Sequence, residues 1–149
     1  MALFSWGESV GDELQLELPN DFESLSRLSP TVRGFLDRGS VPSDTIYTVE
    51  LILEELVTNI IRHAYVDDAA HEISVRLALE PRAVVIRVED DGREFDPREA
   101  PPADLGGDLD SRQPGGLGVH LVREFAESLD YRRSDGRNVV EVRIAVPAS

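Results

Sequence analysis

Alternating and helical patterns of apolar residues divide the first half of the chain into predicted elements. Residues 12–18 alternate leucines with polar side chains, which predicts a strand with one solvated face. Apolar residues at helical spacing predict a helix that begins near Asn20 or Asp21, where either side chain can cap it. Pro30 is expected to kink or restart this helix. A second, longer helix is predicted over residues 44–65.

The second half of the chain favours strands. Two alternating segments around residues 73–79 and 84–88 predict a β-hairpin, and Asp135-Gly136 is a strong hairpin signal between two further strands. The predicted order is β-α-α-β-β-lid-α-β-β. We therefore expect an α+β fold, a two-layer α/β sandwich with a mostly antiparallel sheet and helices on one face. The later elements are predicted at residues 117–128 (helix), 129–133 (strand) and 138–146 (strand).

Residues 93–114 interrupt this regular pattern. The segment is rich in proline and acidic residues and shows little periodicity. A long stretch of this kind within a compact domain is usually either functional or disordered. A lid over a ligand and a loose insertion are both consistent with the composition, and the motifs on either side favour the lid.

The composition narrows the class of protein. The chain has 149 residues, no cysteine and no apolar run long enough for a membrane span, and it begins without an evident signal peptide. We expect one domain, residues 1–149, in the cytoplasm and without a membrane partner. A formal charge of −14 argues against direct nucleic-acid binding; it favours a basic protein partner or serves solubility alone.

The absence of lysine excludes several phosphate sites. All 15 basic residues are arginines. A P-loop and a eukaryotic-type kinase each require a lysine on the nucleotide phosphates, and Schiff-base chemistry requires a lysine amine. Any nucleotide site in this chain must therefore be of another kind.

The first candidate motif is Glu55-x-x-x-Asn59 in the long predicted helix. Residues four apart share a helix face, so the two side chains are expected to lie together. An amide oxygen on Asn59 suits Mg²⁺, and a carboxylate on Glu55 can accept a proton. Arg62 and His63 follow one turn later, within reach of a phosphate. An ordinary amphipathic helix with a polar side explains the same pattern.

The second and third motifs follow strands and precede a helix. Asp90 comes at the end of a predicted strand, and Gly92 would let the backbone approach a ligand closely. A buried aspartate can accept a hydrogen bond from the adenine amine; a plain Asp-Gly turn is the alternative, and Asp91 is a neighbouring candidate. The segment 115–118 is glycine-rich and opens a predicted helix, where free amides favour an anion; a flexible lid end is the alternative.

The order and spacing of these motifs resemble the nucleotide-binding boxes of the GHKL ATPase superfamily. Within it, the chain most resembles the bacterial anti-sigma factor serine/threonine-protein kinases, which have the Bergerat ATP-binding fold of histidine-kinase-like ATPases. The resemblance covers essentially the whole chain. The segments that carry it are residues 54–65, 90–97 and 115–123.

The resemblance implies a role for each candidate residue. It implies ATP and Mg²⁺ as cofactors and a lid at about residues 93–114. The implied roles are a general base (Glu55), a Mg²⁺ ligand (Asn59), a phosphate contact (Arg62), the adenine acceptor (Asp90), the base pocket (Gly92) and the phosphate-binding segment (Gly115, Gly116, Leu117 and Gly118).

The resemblance also implies a biological role. Members phosphorylate a serine or threonine on a STAS-domain anti-anti-sigma protein, sequester a sigma factor when free, and are commonly homodimers. Two features depart from the pattern: Glu94 stands where the wider superfamily has a glycine, and the lid is long and acidic, with Arg112 near the glycines.

Two other classes of function remain to be distinguished from the kinase. One is a nucleotide-gated module that binds a partner without turnover. The other is the ATP-binding half of a histidine kinase, which is disfavoured because no dimerisation helix or phospho-acceptor histidine region precedes the domain.

Overall fold

Two helices pack on one face of an antiparallel sheet in the computed structural model, which describes residues 8–10, 13–65, 70–97 and 124–147. The predicted α+β two-layer sandwich is confirmed. The elements in chain order are β1 (Glu8–Val10), β2 (Glu13–Pro19), α1 (Glu23–Arg38), α2 (Ser43–His63), β3 (Glu72–Glu80), β4 (Ala83–Asp90), β5 (Ser128–Ser134) and β6 (Arg137–Ala145).

The strands form a single sheet in the described part of the chain, in the order β1-β2-β3-β4-β6-β5, and each neighbouring pair is antiparallel. β1 was not predicted. It has three residues and pairs with β2 alone, so it is too short to show alternation. The pairing of β4 with β6 sets Asp90 directly opposite Asn138.

The core lies between the helices and the inner face of the sheet. Because side chains alternate across a strand, every second residue of the inner strands points to the helices. The polar residues Asp90 and Asn138 continue this inward series at one end of the sheet, where both are buried. The apolar members of the series are Leu14, Leu16, Leu18, Ile73, Val75, Leu77, Val84, Ile86, Val88, Val140, Val142 and Ile144.

Helix α1 continues through Pro30, so the predicted restart does not occur. Pro30 is exposed, so the carbonyl of Ser26 that loses its helical hydrogen bond lies on the solvated side. The opposite side of the helix is buried through Val32, Leu36 and their neighbours, and this packing stabilises the helix across the proline. At the N-terminus, Asp21 accepts hydrogen bonds from the backbone amide and hydroxyl of Ser24, as predicted for a cap.

The last third of the chain confirms the second hairpin and corrects one boundary. Asp135 and Gly136 both have positive φ, 53° and 76°, as the tight turn between β5 and β6 requires. The helix predicted over residues 117–128 ends too late, because Ser128 already pairs with Arg143 in the sheet. Its residues up to 123 lie outside the described residues, as does the predicted lid after Pro97. None of the helices described is long and apolar enough to cross a bilayer.

Candidate functional site

Helix α2 carries the first predicted motif at its buried face. Asn59 is 8% exposed although it is polar, because the helix must bury the apolar residues on either side of it against the sheet. No described residue makes a hydrogen bond with its carboxamide, yet the side chain lines a pocket. The amide is therefore available to pair with a group that enters this pocket.

Glu55 lies one turn before Asn59 on the same helix. Its side chain is half-buried, and Oε2 is fully buried without a hydrogen-bond partner among the described residues. Burial raises the pKa of Glu55 above its usual range, the neighbouring Glu54 raises it further, and Arg62 opposes both. The carboxylate is therefore a better proton acceptor than an exposed glutamate.

Arg62 and His63 lie at the end of α2 and face different surroundings. The Arg62 guanidinium is exposed and lies 5.6 Å from the ring centroid of Phe22, a cation–π arrangement. His63 lines the same pocket as Asn59, and its carbonyl accepts a hydrogen bond of 2.7 Å from Nε of Arg93. In this arrangement His63, to which the resemblance assigned no role, contributes to the pocket wall, and Arg62 does not.

Asp90 ends β4 and is 3% exposed. Its Oδ1 accepts hydrogen bonds from the Gly92 amide (2.9 Å) and from Nδ2 of Asn138 (3.0 Å). No described residue donates to Oδ2. The pKa of Asp90 lies above its usual range, chiefly because the carboxyl group is buried; the hydrogen bonds from Asn138 and Gly92 oppose this rise and favour the ionised form.

Asp91, the neighbouring candidate, has different partners. Its exposed carboxylate accepts a hydrogen bond of 3.0 Å from the Tyr65 hydroxyl and lies 3.3 Å from Nδ1 of His71. The rings of Tyr65 and His71 stack with their centroids 4.0 Å apart. Burial is the main cause that raises the pKa of Tyr65, and the hydrogen bond to Asp91 is the second. Asp91 thus joins the end of α2 to the start of β3, and it does not line the pocket that Asp90 lines.

Gly92 is required by a close contact within the protein. A Cβ atom at this position would lie 2.5 Å from both the Cβ and the carbonyl oxygen of Ala64, just after α2. The Arg93 amide donates a hydrogen bond of 2.8 Å to the same carbonyl. The sequence predicted that this glycine admits a ligand; the described contact shows that it admits the end of α2.

A pocket opens between α2 and the ends of β4 and β6. It joins Asn59 and Asp90, the two candidate residues from different motifs, and most of its other lining is apolar. The pocket and its open mouth enclose about 440 Å³, a volume that includes open solvent. The lining residues are Leu56, Asn59, Ile60, His63, Ala64, Val88, Asp90, Phe95, Pro97, Asn138 and Val140.

Sequence reasoning missed Asn138. Its Nδ2 donates to Asp90 and to the Arg93 carbonyl (2.8 Å), and its Oδ1 accepts from the Tyr131 hydroxyl (2.7 Å) and from Nη1 of Arg133 (3.1 Å). The backbone amide of Phe95 is a third donor to Oδ1, at 3.3 Å. A signal was present: Asn138 is a polar residue in an inward strand series that is otherwise apolar.

The donor set around α2 fits a magnesium ion that keeps most of its waters. The described residues contain no cluster of three or more His, Cys, Asp or Glu side chains that could hold a metal by themselves. Mg²⁺ bound to a nucleotide needs only one or two protein oxygens. The unpartnered carboxamide of Asn59 offers one such oxygen.

Comparison with known proteins identifies the family. The sequence model of the family described as the histidine kinase-like ATPase domain matches residues 18–144 of this chain. The chain belongs to this family. The family assignment made from the three motifs is confirmed, and the matched range includes the segment 115–118, which lies outside the described residues.

Two curated relatives of this histidine kinase-like ATPase domain are named as protein kinases. The chain is 36% identical over 92 residues to the serine/threonine-protein kinase BtrW of Bordetella bronchiseptica, a match that spans 62% of this chain and 65% of that protein. It is 29% identical over 138 residues to the serine-protein kinase RsbW of Listeria monocytogenes, spanning 89% of this chain and 87% of that protein.

Two solved structures share the fold. One contains the RsbU and RsbW domains of a Mycobacterium tuberculosis protein; it has a TM-score of 0.62 and 16% identity, and the match covers 91% of this chain and 33% of that one. The other is the histidine kinase domain of a blue-light-activated kinase from Erythrobacter litoralis, with a TM-score of 0.54, 24% identity, and coverage of 83% and 60%. Both likenesses extend to the sandwich architecture described above.

Proposed function

We propose that the chain is an ATP- and Mg²⁺-dependent protein serine/threonine kinase that also sequesters a sigma factor. The observation that carries the proposal is the meeting of two distant motifs in one pocket. There, Asn59 has an amide without a described partner, and Asp90 has a carboxylate oxygen in the same condition. Glu55 adds a third unpartnered oxygen one turn along α2.

The base is proposed to bind at the end of the pocket that Asp90 lines. The 6-amino group of adenine would donate to the Asp90 carboxylate, the acceptor that its surrounding donors favour. Leu56 and Ile60 on α2 face Val88 and Val140 on the sheet, so both faces of a planar base would contact apolar side chains.

The phosphates are proposed to bind toward Asn59. Its carboxamide oxygen would hold Mg²⁺, which, when bound, reduces the negative charge on the phosphates. The chain needs such help because its own formal charge of −14 repels a nucleotide. The backbone amides of the segment 115–118, with Gly116 and Gly118 foremost, and the guanidinium of Arg62 are the proposed additional phosphate contacts.

Glu55 is proposed to act as the general base. The serine or threonine hydroxyl of the substrate protein would lose its proton to Glu55 as its oxygen bonds to the γ-phosphorus. The bond between that phosphorus and the β–γ bridging oxygen breaks, and ADP leaves. Because such transfers depend mainly on positioning and charge, no covalent enzyme intermediate is needed.

The proposed substrate is a STAS-domain anti-anti-sigma protein. The protein is proposed to be a homodimer and to act in the cytoplasm. The kinase names of BtrW and RsbW support the transfer activity. Phosphorylation would release the STAS protein and leave the kinase free to hold the sigma factor. The acidic surface favours a partner with a basic face.

Phosphate transfer tests the proposal directly. The protein is incubated with Mg²⁺, γ-labelled ATP and a candidate STAS-domain anti-anti-sigma protein, and phosphoserine or phosphothreonine is measured. We expect Glu55→Gln to lower the rate by about a hundredfold to ten-thousandfold, the usual contribution of a general base, while ATP binding persists.

Glu54→Gln is the matched control, since it removes the adjacent, exposed carboxylate from the same helix. At neutral pH it is expected to keep the wild-type rate within about twofold, because surface charges contribute little. Partner binding gated by ATP without any phosphate transfer would contradict the kinase and leave the nucleotide-gated module instead.

A further inference from the structure

The carboxamide of Asn138 has its orientation determined by five hydrogen bonds. Its oxygen accepts from the Phe95 amide, the Tyr131 hydroxyl and the Arg133 guanidinium. Its nitrogen donates to Oδ1 of Asp90 and to the carbonyl of Arg93. A rotated carboxamide would place its NH₂ group against three donors and its oxygen against two acceptors, so only one orientation satisfies the set.

Because of this orientation, Asp90 meets the donor nitrogen of Asn138 and not its acceptor oxygen. Asn138 is 3% exposed and lies opposite Asp90 in the β4–β6 register, so bulk water does not replace it. Together with the Gly92 amide, it directs two donors to a single oxygen, Oδ1. Oδ2 receives no hydrogen bond from the described residues. Two donors on one oxygen stabilise a carboxylate, and a carboxylate can only accept hydrogen bonds.

An acceptor at this point distinguishes purines. Adenine presents a 6-amino donor, whereas hypoxanthine and guanine present a 6-oxo acceptor. When a buried acceptor faces another acceptor, neither atom has a hydrogen bond. A site built to hydrogen-bond one substrate group therefore rejects an analogue without that group. Whether residue 138 offers a donor or an acceptor to Asp90 therefore affects which purine is bound, although Asn138 itself does not contact the base.

We propose that Asn138 is a positioning residue that keeps Asp90 an acceptor for the 6-amino group of adenine and thereby makes the site reject 6-oxo purines. Tyr131 and Arg133 on β5 act one step further out, because they hold the Asn138 carboxamide with its nitrogen toward Asp90. Arg133 also donates a hydrogen bond of 2.7 Å to the Gly92 carbonyl, which ties the same hairpin to the loop after Asp90. The inference rests on the proposed nucleotide site.

The test compares the binding of ATP and inosine triphosphate, which differ at the 6-position, by titration calorimetry in the presence of Mg²⁺. The wild type is expected to prefer ATP by about tenfold or more, the effect of one hydrogen bond to a charged group. Asn138→Asp is nearly isosteric but replaces the donor by an acceptor, so Asp90 and the introduced carboxyl group would share a proton. A shared carboxyl proton can be donated to a 6-oxo group, and the preference is expected to fall to about twofold or less.

Two further variants make the result decisive. Asn20→Asp adds the same charge in the loop before α1 and is expected to keep the wild-type preference. Tyr131→Phe removes one of the three donors that orient Asn138 and is expected to lower the preference about threefold. It changes a half-buried side chain by one oxygen atom, so it serves where Asn138→Asp does not fold.

Each outcome has one meaning. Weaker binding of both nucleotides by Asn138→Asp, with an unchanged ratio, would overturn the inference and leave Asn138 a structural residue. So would an unchanged ratio in Tyr131→Phe, or a wild type that binds ATP and inosine triphosphate equally. A wild type that binds neither nucleotide would instead refute the proposed function.

Discussion

The two sides of the pocket differ in how far the protein satisfies its own polar groups. On the sheet side, Asp90 and Asn138 share a network of hydrogen bonds that also engages the loop to Phe95. On the helix side, the buried Oε2 of Glu55 has no hydrogen-bond partner among the described residues. No described residue bonds to the carboxamide of Asn59, which lines the pocket.

This difference indicates which interactions are built in before a ligand arrives. A satisfied network holds its members in one geometry, so the sheet side is preorganised for the proposed contact with a base. A buried polar group without a hydrogen-bond partner destabilises the folded protein. Such groups are kept mainly at functional sites, where a bound ligand supplies the partner. We therefore expect the two sides to respond differently to substitution.

The largest expected effect breaks the sheet side. Asp90→Asn replaces the acceptor by an amide that can turn a donor toward the 6-amino group, and we expect ATP affinity to fall by about a hundredfold. Titration calorimetry with Mg²⁺ and ATP measures it. Asp91→Asn is the matched control, because its carboxylate is exposed and engaged with Tyr65; it is expected to change affinity by less than about threefold. Equal losses in the two variants would contradict the assignment of Asp90.

The second effect concerns the contact that joins the two sides. Gly92→Ala would place a Cβ against Ala64 at the end of α2, and such overpacking is expected to lower the free energy of unfolding by about 2 kcal/mol. Thermal or urea unfolding measures the change.

Gly34→Ala is the control for this substitution and is expected to have the opposite sign. Gly34 lies within α1, and a Cβ there would meet only the flexible end of Arg38, at 3.2 Å. Alanine favours the helix, so this variant should gain about 0.5–1 kcal/mol. A Gly92→Ala protein as stable as the wild type would show that the loop can move away from α2.

The third effect tests the helix side. Asn59→Ala removes an amide without a described protein partner, so the stability of the protein without ligand should change by less than about 1 kcal/mol. In the wild type, Mg²⁺ is expected to strengthen ATP binding by about tenfold relative to binding in EDTA. In Asn59→Ala this difference between the two affinities should disappear.

Thr58→Ala provides a neighbouring substitution on α2 that leaves Asn59 in place. We expect it to retain the Mg²⁺ effect. If Asn59→Ala bound ATP with the same Mg²⁺ dependence as the wild type, the proposed ligand would be wrong.

The smallest effect is a pH shift. Because burial raises the pKa of Glu55, a larger fraction of this side chain is protonated at mildly acidic pH than for an exposed glutamate. The ionised form is the base, so the transfer rate should fall as the pH decreases through a value above the ordinary glutamate pKa of about 4.3.

Glu54→Gln separates the causes of this shift. It removes the like charge that contributes to the raised pKa, so the inflection of the rate–pH profile should move to lower pH. The wild-type rate at neutral pH should be retained. An inflection that moves upward would contradict the repulsion between the two carboxylates.

Much of the fold was predictable because its signals are local. The alternation in β2, β3 and β4 and the Asp135-Gly136 turn each depend on a few consecutive residues, and the structure confirms them. β1 was missed because three residues carry no period. The restart expected at Pro30 was wrong because the burial of the opposite helix face depends on tertiary packing.

The candidate residues could be selected from the sequence only where they fall within a short motif. Spacing selects Glu55, Asn59 and Asp90, and the structure brings Asn59 and Asp90 into one pocket. The reason for Gly92 is not readable from spacing, since Ala64 approaches it from a separate element. The network around Asn138 likewise depends on strands that are distant in the chain and meet only through the β4–β6 register.

The hydrogen bond from the Gly92 amide to Asp90 has a spectroscopic consequence. An amide proton that points at a carboxylate oxygen is deshielded while the carboxylate is ionised, because the bond is charge-assisted. The Gly92 resonance in an ¹⁵N-labelled sample therefore records the charge on Asp90 from a backbone position, without modification of any side chain. Glycine amides also appear in a separate region of the nitrogen dimension, which gives this buried carboxylate its own observable signal.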